Sequence, residues 1–454
     1  MNGHALLSDA PVPRAVARLA IPSVLSAILS IAYNLTDTYF VALLRDTAQL
    51  AAVSISMPAM MLLSAVVALV SSGAPSLISL LAGAGKEEDA ARVRSFSVWA
   101  SFLLGLIATP LALLLIRPLL SSMGAGGDVL GYAARYAGIV AAFSAANGAQ
   151  GAMQGVLKAD GRALEAGIGS AVGILANAAL DPLFIFGLKM GVSGAALATG
   201  LGGLASLLYF AVRLRGTIPP RAAKPGKKLA RRAIALGLSG TLSSVLTSLT
   251  VGISFLFASD YGDALIASVS VASKVYAISV TLVAALAFSL QPFVGFNHAA
   301  GRRDRMRRGI GLSLGVGTAL CLASAAAYLF FGDAFMRAFS DDPSITETGA
   351  RLMRFFAIGV PFAALEMTAL MYLTATGQAT RAVVAGLGRQ LVLFFPALFV
   401  LRALFGLDGL MLAYPATDIA AAVLGTALCL VRPAATGGIK KRLPRGSLPV
   451  TERT

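Results

Sequence analysis

Two aspartates stand inside long apolar runs of the N-terminal half: Asp37, in NLTDTYF at 34–40, and Asp181, in NAALDPLFIFG at 177–187. A carboxylate in hydrocarbon is costly, so it turns toward a cavity or a partner. Asn177 precedes Asp181 by one helical turn, which places an amide oxygen and a carboxylate on one helix face. Pro182 adds an irregularity that frees backbone carbonyls. Asp37 and Asp181 each lie about six or seven residues beyond the middle of their runs, roughly 10 Å at 1.5 Å per residue, and Thr199 and Tyr136 reach the same layer. Two carboxylates in one low-dielectric pocket do not both stay ionised unless a cation neutralises them. Asp37, Asn177, Asp181, Thr199 and Tyr136 therefore predict a site for H⁺ or a hard monovalent cation, with Na⁺ able to sit among the first four. Hydroxyls also join helices by hydrogen bonds, and Thr199 and Tyr136 alone fit that role equally well.

The elements that must hold these residues are transmembrane helices. Of 454 residues, 57% are apolar and 13% charged, against about a quarter charged in soluble domains, and the mean hydropathy is +0.80. This balance excludes a cytosolic enzyme, a secreted disulfide scaffold and a disordered regulator, and it predicts an all-α integral membrane protein. Runs long enough to cross about 30 Å fall near 15–44, 50–81, 93–119, 129–156, 163–187, 193–213, 230–258, 265–297, 309–335, 350–375, 381–405 and 409–432. The first run has no small-residue cleavage site and reads as a span rather than a removed signal. Cys321 and Cys429 sit far apart in apolar runs, so neither a disulfide framework nor a cysteine metal site is expected. The lack of a His cluster or a nucleophile with a nearby base speaks against an enzyme, and no cofactor is expected.

The net charge of +16 gathers in short loops, as in positively charged cytoplasmic connections rather than in a nucleic-acid surface. Twenty-seven of the 37 Lys and Arg residues fall on the side of the N-terminus and eight on the other, which places both termini in the cytoplasm of a bacterial inner membrane. The expected partners are small organic substrates and membrane lipids, with the chain acting as a monomer.

The two halves also resemble each other at an offset of 215 to 217 residues: RLAIPSVLSAIL parallels ALGLSGTLSSVL, LKADGRA parallels LTATGQA, and GVSG parallels GLDG. The expected organisation is an N-terminal lobe (1–214), a basic linker (215–229), a C-terminal lobe (230–432) and a tail (433–454). Two six-helix lobes in parallel repeat form a secondary-transporter architecture with a central cleft. The repeat also supplies an internal control. Asp37 faces Ser254, Asn177 and Asp181 face Val392 and Pro396, and Pro22 faces Ser239, so building a lobe does not itself require the carboxylates or the proline. Pro22 lies fifteen residues before Asp37 on one span and offers a bend. The C-terminal half has its own embedded charges, and matching depths pair Glu366 with Arg389 and Lys274 with Asp418. Glu366 could also act as a second coupling acid or as a counter-charge for a cationic substrate. Met57, Met60 and Met61 fit either packing or a plastic cavity wall.

Pro22 with NLTDTYF, ADGR at 159–162, NAALDPLFIFG and GVSGAALAT at 191–199 resemble the multidrug and toxic compound extrusion transporters, especially their DinF-like bacterial branch. The resemblance spans essentially all twelve runs. It implies export of amphipathic, often cationic compounds in exchange for H⁺ or Na⁺. It further implies a cation or proton site at Asp37, Asn177, Asp181 and Thr199 supported by Tyr136, and a bend at Pro22. Of the C-lobe acidic site found in the NorM-like branch, only Glu366 is matched. A lipid-precursor flippase of the same superfamily is the alternative, and it would favour a strongly cationic central cavity.

Overall fold

The computed structural model describes residues 3–44, 46–218, 225–259, 263–339 and 342–431, and every regular element among them is helical. In hydrocarbon no water satisfies the backbone, so each segment must close its own hydrogen bonds. The spans are Val12–Ala42 (span 1), Thr47–Gly83 (2) and Glu87–Ser122 (3). Span 4 is Gly127–Ala142 with Ser144–Ala159, bent by 49°. Span 5 is Ala163–Pro182 continued by the π-helical turn Leu183–Gly187, and span 6 is Val192–Arg213. The second lobe comprises Lys227–Ser259 (span 7), Asp263–Ser289 with Gln291–Ala299 (8), Arg303–Arg337 (9) and Pro343–Ala375 (10). Span 11 runs Ala379–Leu387, Gly388–Phe394 as a π-helix, then Phe395–Phe405, and span 12 is Leu407–Leu430.

Among the described residues, ten segments are apolar and long enough to cross a membrane, and the bent span 4 makes eleven. Span 7, 33 residues long, reaches about 50 Å at 1.5 Å per residue and completes the twelve. Lys227 and Lys228 of the expected linker already belong to this helix; residues 219–224 and the tail from 432 onward lie outside the described residues. Large apolar side chains such as Leu114, Phe330 and Leu404 point outward, as a lipid-facing surface requires.

The internal repeat reappears in the backbone. Gly85 and Gly301 have φ of 73° and 75°, Gly161 and Gly377 both 75°, and Gly191 and Gly406 both 58°. These left-handed turns favour glycine, and they recur at the offset found in the sequence. Within each lobe the helices pack as a bundle, but spans 1 and 7 straddle. Span 1 packs on span 5 and, across the lobes, on span 8, while span 7 packs on span 11 and, across the lobes, on span 2.

The lobes meet at the end that carries the N-terminal segment. Gln291 donates to Ser76, and Thr241 donates to the Ala65 carbonyl at 3.1 Å. At the centre of this seam the backbones touch: a Cβ on Gly237 would stand 1.7 Å from the Leu69 carbonyl oxygen, and one on Gly73 would stand 2.2 Å from that of Ala233. Gly237→Val should therefore keep both lobes folded but hold this end apart. Spin labels at the exposed positions Lys86 and Lys228 should then be farther apart than in the parent protein. An unchanged distance would show that the seam does not depend on the missing side chain.

Candidate functional site

Span 5 carries a stripe at four-residue spacing, Gly169, Gly173, Asn177 and Asp181, all buried. Its glycines admit span 6: a Cβ on Gly173 would meet Ser206 Oγ at 2.3 Å, and one on Gly202 would meet Asn177 Cβ at 2.9 Å. Ser206 donates to the Gly169 carbonyl at 2.6 Å across this contact. Small residues allow such backbone approach between membrane helices. Span 6 is held at its other end by Gln49, whose Oε1 accepts from Val192 N at 2.9 Å. Gln49 in turn donates to Asp46, and this holds the Asp46 carboxyl below its ordinary pKa.

The close approach brings Asn177 Nδ2 to donate to Thr199 Oγ1 at 3.3 Å, and the Tyr33 hydroxyl reaches the same Thr199 oxygen at 3.3 Å. Asn177 Oδ1 is buried and accepts no hydrogen bond among the described residues. Asp181 lies one turn farther along the same face, fully buried. Three of the expected residues are thus placed together on spans 5 and 6. Tyr136 is half-buried and packs against the cluster of Val41, Val53, Ile185, Val192 and Ala195. Asp37 lies in the helix of span 1, one turn beyond Tyr33, but its side chain and that of Ser254 lie outside the described residues. Tyr33 is the residue that sequence reasoning missed; its position four residues before Asp37 was the available signal.

Pro22 sits within a continuous helix, and its carbonyl accepts from Ser26 at 2.7 Å. Asp160 of ADGR anchors structure instead: it takes the Arg94 guanidinium at 2.7 Å, and burial pushes its carboxyl up against that guanidinium's pull.

In the C-terminal lobe the expected pairing is half right. Arg389 binds Glu366 at 2.7 Å, but it also binds Asp418 at 2.8 Å, whereas Lys274 is exposed. Equal depth does not fix direction around a helix. Ser273, Tyr276 and Ala277 of span 8 line a cavity among spans 7, 8, 10, 11 and 12, and Tyr276 donates to Asp418 at 2.6 Å where Lys274 was expected. The C-lobe therefore does bring two acids together, which matching Glu366 alone did not anticipate. Of the methionines, Met57 and Met61 are exposed and Met60 lines an apolar groove between spans 2 and 3.

The MatE family profile matches residues 22–183 and 241–400, once in each half. The chain belongs to the MatE family. Among its relatives, the multidrug export protein MepA of Staphylococcus aureus strain NCTC 8325 is 28% identical over 417 residues, covering 88% of this chain and 90% of MepA. MepA of Staphylococcus haemolyticus is 28% identical over 414 residues, covering 89% and 90%. Among solved structures, an outward-facing multidrug resistance MATE family transporter aligns with a TM-score of 0.88 at 24% identity, covering 94% of this chain and 99% of that one. A point mutant of the Vibrio cholerae MATE transporter VcmN aligns with 0.87 at 20%, covering 92% and 96%. These structures share the fold of this MatE chain.

Asn177→Ala should cost about 1 kcal/mol of stability and abolish transport with the fold retained. Gly202→Leu, overpacked against Asn177, should cost about 1–3 kcal/mol and abolish transport too. Melting curves and transport assays on both variants check this. Full transport by Asn177→Ala would remove Asn177 from the site.

Proposed function

We propose that this MatE protein is a secondary multidrug exporter of a bacterial plasma membrane. It moves amphipathic, often cationic organic compounds outward in exchange for inward H⁺ or Na⁺, acts as a monomer and keeps both termini in the cytoplasm. The observation that carries the reading is the buried Asn177 Oδ1, an oxygen with no hydrogen bond among the described residues, beside the Thr199 hydroxyl and one turn from Asp181. An amide oxygen, a hydroxyl and a carboxylate form a donor set suited to a hard monovalent cation, and the carboxylate alone can take a proton. The N-lobe site thus serves the coupling ion, and Asp37 on the straddling span 1 joins it. The exporter alternates access because ion binding shifts the balance between two lobe arrangements. A lipid-precursor flippase is disfavoured, since the C-lobe cavity holds two carboxylates to one guanidinium.

The deciding experiment is ethidium efflux from vesicles under separately imposed proton and sodium gradients. Asp37→Asn and Asp181→Asn should remain folded and inserted yet lose gradient-driven efflux, because a permanently neutral side chain cannot alternate between protonated and cation-paired states. Ser254→Ala should stay close to the parent rate. Parent rates in both aspartate variants at equal expression would remove the coupling role.

Pro22→Ala tests the mechanical side. Restoring the backbone bond favours helix by about 3 kcal/mol in propensity, so the resting structure should persist while efflux falls. Labels at the outer ends of spans 1 and 7, read at acidic and alkaline pH, should lose their pH response. A retained response with full efflux would make Pro22 a structural residue only.

A further inference from the structure

We propose that Arg389 is a built-in counter-cation that sets the charge of the C-lobe cavity and so selects singly charged organic cations over doubly charged ones. The inference rests on the export reading above and names how its substrates would be sorted. The cavity between spans 7, 8, 10, 11 and 12 has a volume of about 330 Å³, within the range of roughly 300–1,000 Å³ for small-molecule sites. Among the described residues, the charged side chains lining it are Glu366, Arg389 and Asp418, so two carboxylates face one guanidinium and leave one negative charge.

The geometry ranks the three members. Asp418 is the anchor: its side chain is 3% exposed, and it is held by Arg389 at 2.8 Å and by the Tyr276 hydroxyl at 2.6 Å. Glu366 is 10% exposed, and both its oxygens lie on one nitrogen of Arg389, at 2.8 and 2.7 Å. The Arg389 side chain is 22% exposed, the most open of the three. An incoming ammonium can therefore take Glu366 from Arg389 while the other guanidinium nitrogen stays on Asp418. No carboxylate is left without a counter-charge, which is the condition a buried ion pair must meet.

Two further features fit a flat, apolar cation. Tyr276, Phe356, Tyr414 and Phe394 form a continuous aromatic wall, with successive ring centroids 4.7, 5.2 and 5.4 Å apart, and such faces attract cations. The π-helical turn Gly388–Phe394 lets consecutive residues serve opposite walls. Arg389 reaches spans 10 and 12, while Gln390 accepts from Thr250 at 2.8 Å on span 7.

The charge count fixes the test. A monocation brings the cavity to neutrality and a dication overshoots, so the parent protein should bind ethidium more tightly than propidium, which bears the same ring system and one more charge. Arg389→Gln leaves two negative charges and should shift the ethidium-to-propidium affinity ratio by roughly tenfold or more toward propidium, a change of about 1.4 kcal/mol. Arg389→Lys retains the charge and should keep the parent ratio. Glu366→Gln should weaken ethidium binding, and it serves as the second test if Arg389→Gln does not fold. Binding is measured by dye fluorescence on purified protein shown to be monodisperse. Ethidium binding with an unchanged ratio in folded Arg389→Gln, or with unchanged affinity in Glu366→Gln, would overturn this role for Arg389 and leave the export reading standing. Absence of binding of either dye to the parent protein would overturn both.

Discussion

A charge inside hydrocarbon must be met by another, and the two lobes meet this constraint differently. In the second half, Lys274 and Arg389 stand deep inside apolar runs. There Arg389 pairs with both Glu366 and Asp418 from within the chain. The first half buries Asp181 on the same face of span 5 as Asn177, whose amide donates to the Thr199 hydroxyl. A lobe whose counter-charge is covalently attached holds a fixed electrostatic state. On the proposed function, the N-lobe draws its counter-charge from solution and its state follows the ion gradient, as coupling requires.

The second determinant is how closely helices approach. Membrane helices gain little from hydrophobic burial against each other and rely on packing and hydrogen bonds. Gly173 and Gly202 bring spans 5 and 6 near enough for Asn177 to reach Thr199, and Gly73 and Gly237 do the same for the seam between lobes. The polar site and the seam therefore use the same local chemistry, backbone against backbone, at opposite levels of the bundle.

The sequence made the twelve spans, the parallel repeat and the residues of span 5 legible, because hydropathy and four-residue spacing are properties of single helices. The glycine turns at matched offsets followed from the same repeat. The partners of Asp418 were not legible: depth along a span is readable from sequence, but azimuth is set by packing, and it turned Tyr276 inward and Lys274 outward. The π-helix of span 11 also shifts the register behind the repeat. Aligning Asn177 with Val392 points to an apolar position, while the polar contact to span 7 comes from Gln390, two residues earlier.

Span 1 links these levels. It carries Pro22 beside span 5, Tyr33 at the Thr199 hydroxyl and Asp37 one turn on, and its inner portion packs with Leu290, Phe293 and Val294 of the opposite lobe. Span 7 straddles in the same way, but its contact at the equivalent level is Thr250 with Gln390, two neutral groups. A change in charge at the N-lobe site therefore acts on a helix that already bridges the lobes, whereas the matching helix of the C-lobe is insensitive to it. On the proposed function, the chemical asymmetry of the lobes gives the symmetric architecture a single driven element.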